Sequence, residues 1–423
     1  MQIEKHTLDN GLTVLLKESR HAPVTTFWVW YRVGSRNEVP GITGIAHYAE
    51  HMLFKGSRAF PKERVHKEIA RNGGVRNAYT WLDFTTFFET LPADRIDLGL
   101  RIEADRMVNA LFDPEEAALE RTVIISEREG AENQPTFLLR EEVVGAAFRV
   151  HPYHHDTIGD MCDLETISRE QLWHHYKTYY GPSNAIAVAV GDFETSKMQT
   201  RIEQLFGPLA ARSEPPPVSR PEPPQRGERR LDLEGPGSTA YLQAAYRGPA
   251  AKAPDFFPMV ILSSILTGSS GMNLSMASPP NRTSRLYKAL VEEELAAAVS
   301  GSLSPMVDPY LYNITATVRA GRTVDEVEEA LNREMDQILA EPISEEELQT
   351  AIKQSKAQFA YSSESVTSQG FWLGYASIVA DVGWFEGFID SLEAVTVEDV
   401  TRVAETYLRR RNRTVGRYIP QGL

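Results

Sequence analysis

Cysteine is almost absent. The chain of 423 residues has one, Cys162, so no internal disulfide can form and the fold needs no oxidising compartment. Long apolar runs are missing too. No stretch approaches the roughly 18 consecutive apolar residues of a membrane-spanning helix, so no membrane span is expected. The opening residues, Met1-Gln2-Ile3-Glu4-Lys5-His6-Thr7-Leu8, lack the basic and apolar regions of a secretory signal. They also lack the arginine- and serine-rich look of a transit peptide. A cytoplasmic chain is therefore expected, although a processed chain renumbered from a new start would read the same. Positive charge is in deficit, with 44 Lys plus Arg against 58 Asp plus Glu and a net charge of −14. A surface built to neutralise phosphates is normally basic, so nucleic-acid binding is not expected.

What is present is globular composition, 42% hydrophobic and 24% charged, with material for a large core. Six prolines fall between Pro215 and Pro224, flanked by charges that include Arg226, Glu228, Arg229 and Arg230. Proline fixes φ and removes a donor, so this stretch reads as an extended, semi-rigid linker. It divides the chain into an amino-terminal domain, 1–212, a linker, 213–230, and a carboxy-terminal domain, 231–423.

The two halves repeat one order of elements. Strand-like Leu12–Leu16 and Val24–Arg32 open the first, and Thr239–Arg247 stands in the second. Each of the longer runs ends in Tyr-Arg and soon reaches glycine, Gly34 or Gly248. Acidic helix starts follow at Asp113-Pro114-Glu115-Glu116 and Ile343-Ser344-Glu345-Glu346. Each half closes on an apolar strand, Ala185–Val190 and Thr414–Tyr418. An internal duplication is expected. The fold class is α+β: two tandem homologous domains, each a mostly antiparallel sheet covered by helices.

The chemistry concentrates in His47-Tyr48-Ala49-Glu50-His51. Thr43 is a candidate N-cap and Gly56 a candidate stop for a helix here. His47 and His51 are four apart and so share one helix face, where two neutral imidazoles can grip one divalent ion. Glu50 lies beside them and stays free to act as a base. The order His-x-x-Glu-His is the inverzincin signature. A surface helix with two histidines and a solvated glutamate is the plain alternative. A catalytic zinc needs a third protein ligand and an open position for water. The helix expected over 115–129 carries Glu120 and Glu127, two turns apart on one face, with apolar Val123, Ile124 and Ile125 between them. Glu116 and Glu129 share the helix, and spacing alone does not choose among these carboxylates.

The run His47-Tyr48-Ala49-Glu50-His51-Met52-Leu53-Phe54-Lys55-Gly56 resembles the active-site helix of the pitrilysin-type zinc metallopeptidases. These include insulin-degrading enzyme and the mitochondrial processing peptidase. Thr7-Leu8-Asp9-Asn10-Gly11-Leu12 resembles the family's opening strand and turn, and Tyr180-Gly181-Pro182-Ser183-Asn184 its entry to the last amino-terminal strand. The resemblance implies zinc held by His47, His51 and Glu127, Glu50 as the catalytic base and Glu120 as support for the ligands. It implies one half of a clamshell, with one metal in the first domain. The second half carries Leu262-Ser263-Ser264-Ile265-Leu266 where the motif would recur.

The resemblance also implies that peptide substrate adds as a strand beside Asn77-Ala78-Tyr79-Thr80, with Asn77 and Ala78 as binding residues. One departure stands out. Active relatives carry an arginine and a tyrosine in a stretch matching Leu290–Val299, where this chain has Val291 and Ala297. Neither can stabilise an oxyanion. Arg285 and Tyr287 lie upstream, out of register, and read as structural. The expectation is a zinc endopeptidase whose arginine and tyrosine come from a homologous subunit in a heterodimer. A homodimer with other oxyanion donors is the simpler variant, and a non-catalytic peptide-binding or scaffold subunit is the rival class. Thr267-Gly268-Ser269-Ser270-Gly271-Met272-Asn273-Leu274 is not followed by the Lys-Ser/Thr of a phosphate loop and reads as a loop over the chamber. His151, His154, His155, His174 and His175 lack ligand spacing and read as loop or helix-surface residues.

Overall fold

Two mixed sheets organise the chain. The computed structural model describes residues 3–269 and 282–422. The first sheet contains β1 (Glu4–Thr7), β2 (Thr13–Glu18), β3 (Val24–Tyr31), β4 (Val75–Thr80), β5 (Thr85–Pro92) and β6 (Ala185–Gly191). The second contains β7 (Arg229–Pro236), β8 (Tyr241–Arg247), β9 (Ala296–Leu303), β10 (Leu311–Val318) and β11 (Arg413–Gln421). The α+β expectation holds.

The strand orders expose the duplication. The first sheet runs β1-β2-β6-β3-β5-β4 and the second β7-β11-β8-β10-β9. Without β1 they superpose as patterns. β2 with β6 is parallel, as is β7 with β11, and the remaining pairs are antiparallel. A matched asparagine precedes the last strand in sequence of each, β6 and β11. Asn184 Nδ2 donates to the Tyr179 and Arg32 carbonyls at 2.9 and 3.4 Å. Asn412 Nδ2 donates to those of Tyr407 and Arg247 at 2.8 and 2.9 Å. β6 is buried on both faces along its whole length, which explains an apolar run without alternation.

The compact units do not follow the chain continuously. Unit one comprises 1–130, 155–220 and 363–385; unit two comprises 131–154, 221–362 and 386–423. Each half therefore contributes one helix to the other half's unit: Pro135–Ala147 packs on β7, β8 and β11, and Val366–Val379 packs on β3 and β6. A division at the linker was the sequence expectation, and these helices cross it. Apolar periodicity marks a helix as buried without saying which sheet it covers. From Ser270 on, the expected loop over the chamber lies outside the described residues. Among the described residues no helix is long and apolar enough to cross a membrane.

β3 shows how unit one is built. Phe27, Val29 and Tyr31 join the core that includes Ile45, Tyr48, Ala49 and Met52 of the helix Ile45–Leu53. Trp28 and Trp30 point to the other face, where they meet Phe371 with ring centroids 5.9 and 5.4 Å away. The helix Val366–Val379 reaches that face because Gly370 and Gly374 have no side chains. A Cβ at Gly374 would lie 1.9 Å from Trp30 Nε1. Gly374→Ala is therefore expected to destabilise unit one by about 2 kcal/mol, overpacking outweighing the ~1 kcal/mol gain in helix propensity. Gly130→Ala is the control, since its Cβ would meet nothing within 4 Å. Denaturant midpoints should fall for the first and stay level or rise for the second.

Candidate metal centre

The helix Ile45–Leu53 forms because its apolar residues recur on one face: Ile45, Ala46, Tyr48, Ala49, Met52 and Leu53 are all buried. Its N-cap is Gly44, at φ +85°, not Thr43 as expected. The reason is crowding: a Cβ on Gly44 would lie 2.4 Å from the Ile158 carbonyl oxygen. Thr43 instead donates its hydroxyl to Asp163 Oδ2 at 2.8 Å. The free N–H groups of Gly44 and Ala46 donate to the two carboxylate oxygens of Glu38, each at 2.8 Å. A carboxylate at a helix N-terminus answers both the unpaired donors and the dipole. His155 Nε2 braces Glu38 Oε2 at 2.9 Å.

His155, His151 and His175 are thus corrections to the sequence reading: all three are buried. His151 and His155 take partners from distant segments, Asp308 and Glu38, which spacing along the chain does not reveal, while His175 packs beside Tyr179 and Tyr180. Burial pushes the His175 imidazole down to about 3.

The helix Pro114–Glu132 supplies the carboxylates. Tyr48 ties the two helices together by donating its hydroxyl to the Ala117 carbonyl. Glu120 is buried, and its Oε1 meets His51 Nδ1 at 2.8 Å while Oε2 pairs with Lys55. Burial alone would raise this carboxyl, but the bonds from Lys55 and His51 outweigh it and hold it below the usual range. With Nδ1 engaged, His51 turns Nε2 outward. That atom lies 3.8 Å from Glu127 Oε2, and His47 Nε2 lies 3.9 Å from the same oxygen. One donor atom from each of His47, His51 and Glu127 lies within 4.8 Å of the other two. Of the apolar residues between Glu120 and Glu127, Ile124 is buried and Val123 is exposed.

This donor set fits zinc. Tetrahedral ligands at ~2.1 Å from one ion stand ~3.4 Å apart, slightly inside the distances observed. Burial, then the neighbouring His51, pulls the His47 imidazole down to about 4, which keeps it in the neutral, ligating form.

Glu50 is also buried, and burial raises its carboxyl. Thr80 on β4 partly offsets this by donating to Glu50 Oε2 at 2.6 Å. Thr80, Lys55, Glu38 and Asp163 were not singled out from sequence. Thr80 carried a signal, since it follows Asn77-Ala78-Tyr79 in the strand expected beside the metal. β4 is one of the two edge strands of its sheet, with Asn77 exposed and the Ala78 side chain buried. In unit two, Arg285 grips Glu347 through Nε and Nη2 at 2.7 and 3.1 Å, the structural role expected of it. The segment Leu262–Leu266 lies in the wholly non-ligating helix Phe256–Thr267.

Comparison with known proteins agrees with this architecture. The family model described as Insulinase (Peptidase family M16) matches residues 13–161, and that described as Peptidase M16 inactive domain matches residues 166–355. The chain belongs to peptidase family M16, the insulinase or pitrilysin-like family. It is 28% identical over 418 residues to the zinc protease PqqE of Helicobacter pylori, spanning 96% of this chain and 90% of that one. It is 26% identical over 412 residues to the mitochondrial-processing peptidase subunit beta of Lentinula edodes, at 96% and 87% coverage. A crystal structure of a protease from Helicobacter pylori matches with a TM-score of 0.93 and 25% identity, covering 99% of both chains.

Proposed function

We propose that the chain is a zinc-dependent endopeptidase acting on peptides or unfolded segments. The observation that carries this reading is the convergence of His47, His51 and Glu127 beside a buried, Thr80-held Glu50. His47, His51 and Glu127 hold the ion, and Glu120 fixes the ring of His51. Bound there, zinc supplies Lewis-acid polarisation of the scissile carbonyl and a lowered pKa for water in the fourth position. Glu50 keeps Oε2 on Thr80 and receives the proton of the attacking water on Oε1. As the C–O bond forms and the C–N bond breaks, the same carboxyl returns the proton to the leaving nitrogen. Peptide backbone pairs along the open edge of β4, where Asn77 can bond a substrate amide. Edge pairing satisfies any extended backbone, which suits unfolded substrates of varied sequence.

Oxyanion support is assigned to a homologous partner chain, because Val291 and Ala297 stand where the resemblance places arginine and tyrosine. A relative named as a subunit supports this division of labour. The same substitutions, with the family model described as inactive domain over 166–355, favour the rival reading of a non-catalytic peptide-binding subunit. A quenched-fluorescence peptide assay separates the two, run on the chain alone and with whatever co-purifies. Cleavage abolished by chelator and restored by zinc supports the enzyme. Hydrolysis indifferent to chelator, or absent from the assembled complex, removes it.

A further inference from the structure

Unit two contains a cavity of about 780 Å³, within the usual size range of small-molecule sites. Four prolines help to wall it: Pro221 and Pro224 from the linker, Pro249 after β8, and Pro309 before β10. Proline rings present flat, rigid apolar surface with no rotamer freedom left to lose on binding. Ala250 and Ala253 extend that surface.

The charges in the wall do not cancel locally. Glu222 is spent on backbone, accepting the N–H groups of Arg149, Val150 and His151 at 2.9, 2.8 and 3.0 Å. Arg247 is spent likewise, donating to the Pro223 and Ala147 carbonyls at 3.2 and 3.0 Å and approaching Glu222 at 3.4 Å. Asp308 meets His151 Nε2 at 3.1 Å. Arg226 and Arg411 remain. Both line the cavity, both are exposed, and neither has an ion-pair partner among the described residues. What sets Arg226 and Arg411 apart from other exposed arginines is that both line the same largely apolar cavity, whose other charged groups are already engaged. A guanidinium offers a planar fork of donors that matches a carboxylate or phosphate.

The geometry points to a binding site for a planar organic oxyanion, an aryl carboxylate or aryl phosphate. Its ring lies among the prolines, and its charged group is held by Arg226 and Arg411. The site lies outside the candidate metal centre and does not depend on that reading.

The test is saturation-transfer NMR on the intact chain, with chelator present so that zinc plays no part. Benzoate, phenyl phosphate and benzylamine serve as observed probes, and inorganic phosphate, which has no carbon-bound proton, as a competitor against phenyl phosphate. Benzoate and phenyl phosphate are expected to bind, more weakly as salt rises. Benzylamine is expected not to bind, and inorganic phosphate to bind more weakly than its phenyl ester. The double substitution Arg226→Ala/Arg411→Ala should weaken both aryl anions by about tenfold or more, given two lost charge-assisted contacts. Both side chains are exposed, so the variant keeps its melting curve. Ala253→Trp, which fills the cavity, should block binding with both arginines in place. Binding of benzylamine as strong as that of benzoate overturns the proposal. So does unchanged anion affinity in the double variant, or no aryl-anion binding at millimolar concentration.

Discussion

Glu50→Gln is expected to bind zinc as the native chain does and to lose ~10²–10⁴-fold in kcat, the range that a positioned general base supplies. The substitution isolates protonation from shape. Glutamine has the same outline, and its amide oxygen can still accept the Thr80 hydroxyl that reaches Glu50 Oε2 at 2.6 Å. Burial already disfavours the charged carboxyl, so a neutral side chain costs the fold nothing. What glutamine cannot do is receive a proton from water and return it. Metal content by mass spectrometry should therefore match the native protein, and the melting temperature should stay level or rise. KM should change little, because the substrate pairing proposed along β4 does not use this group. Unchanged turnover in a zinc-loaded variant would remove Glu50 from its role as base.

The parts of the site legible in the sequence are those set by local geometry. His47, Glu50 and His51 lie within five residues, and helical periodicity places them together whatever the rest of the chain does. Glu127 comes from another helix. Spacing left it among several glutamates, and only the resemblance singled it out. The supports were less legible still. Glu38 holds the start of the helix that carries His47 and His51 and is braced by His155, 117 residues away. Neither residue belongs to a motif, and the burial of His155 follows from a contact that no local pattern encodes. Thr43 failed as an N-cap because cap preferences describe an isolated helix end. Here the Ile158 carbonyl presses on residue 44 and admits only glycine. The same limit applies to the fold. Strand runs and the duplication could be read from alternation and order, whereas the sheet each apolar helix covers is a tertiary choice. Gly370 and Gly374 allow a close approach, and the residues they meet, Trp28 and Trp30, lie more than 300 residues away in the chain.

Glu127→Ala is expected to abolish tight zinc binding while leaving the fold intact, and that pairing of outcomes makes it the sharper test of the metal centre. The Glu127 side chain is 51% exposed, so its truncation opens no cavity and strands no buried partner. Glu120→Ala is the contrast. Glu120 is buried against His51 and Lys55, and its loss leaves a half-buried cation unpaired and the His51 ring unheld. That variant should lose thermal stability without any metal present and weaken zinc by ~10–100-fold, the usual effect of removing a ligand's support. Glu127→Ala should exceed that loss, because it removes a ligand rather than its orientation. The melting temperature in added zinc reads both effects. An ion that binds only the folded chain stabilises it by ~4 kcal/mol at a thousandfold excess over Kd. The native chain should therefore melt higher with zinc than with chelator, Glu120→Ala should respond weakly from a lower start, and Glu127→Ala should start at the native chelated value and not respond. Native zinc content in Glu127→Ala would show that the third ligand is another group. Since Glu50 and Glu120 are each committed elsewhere, to Thr80 and to Lys55 with His51, the third ligand would then have to be a group other than these three glutamates.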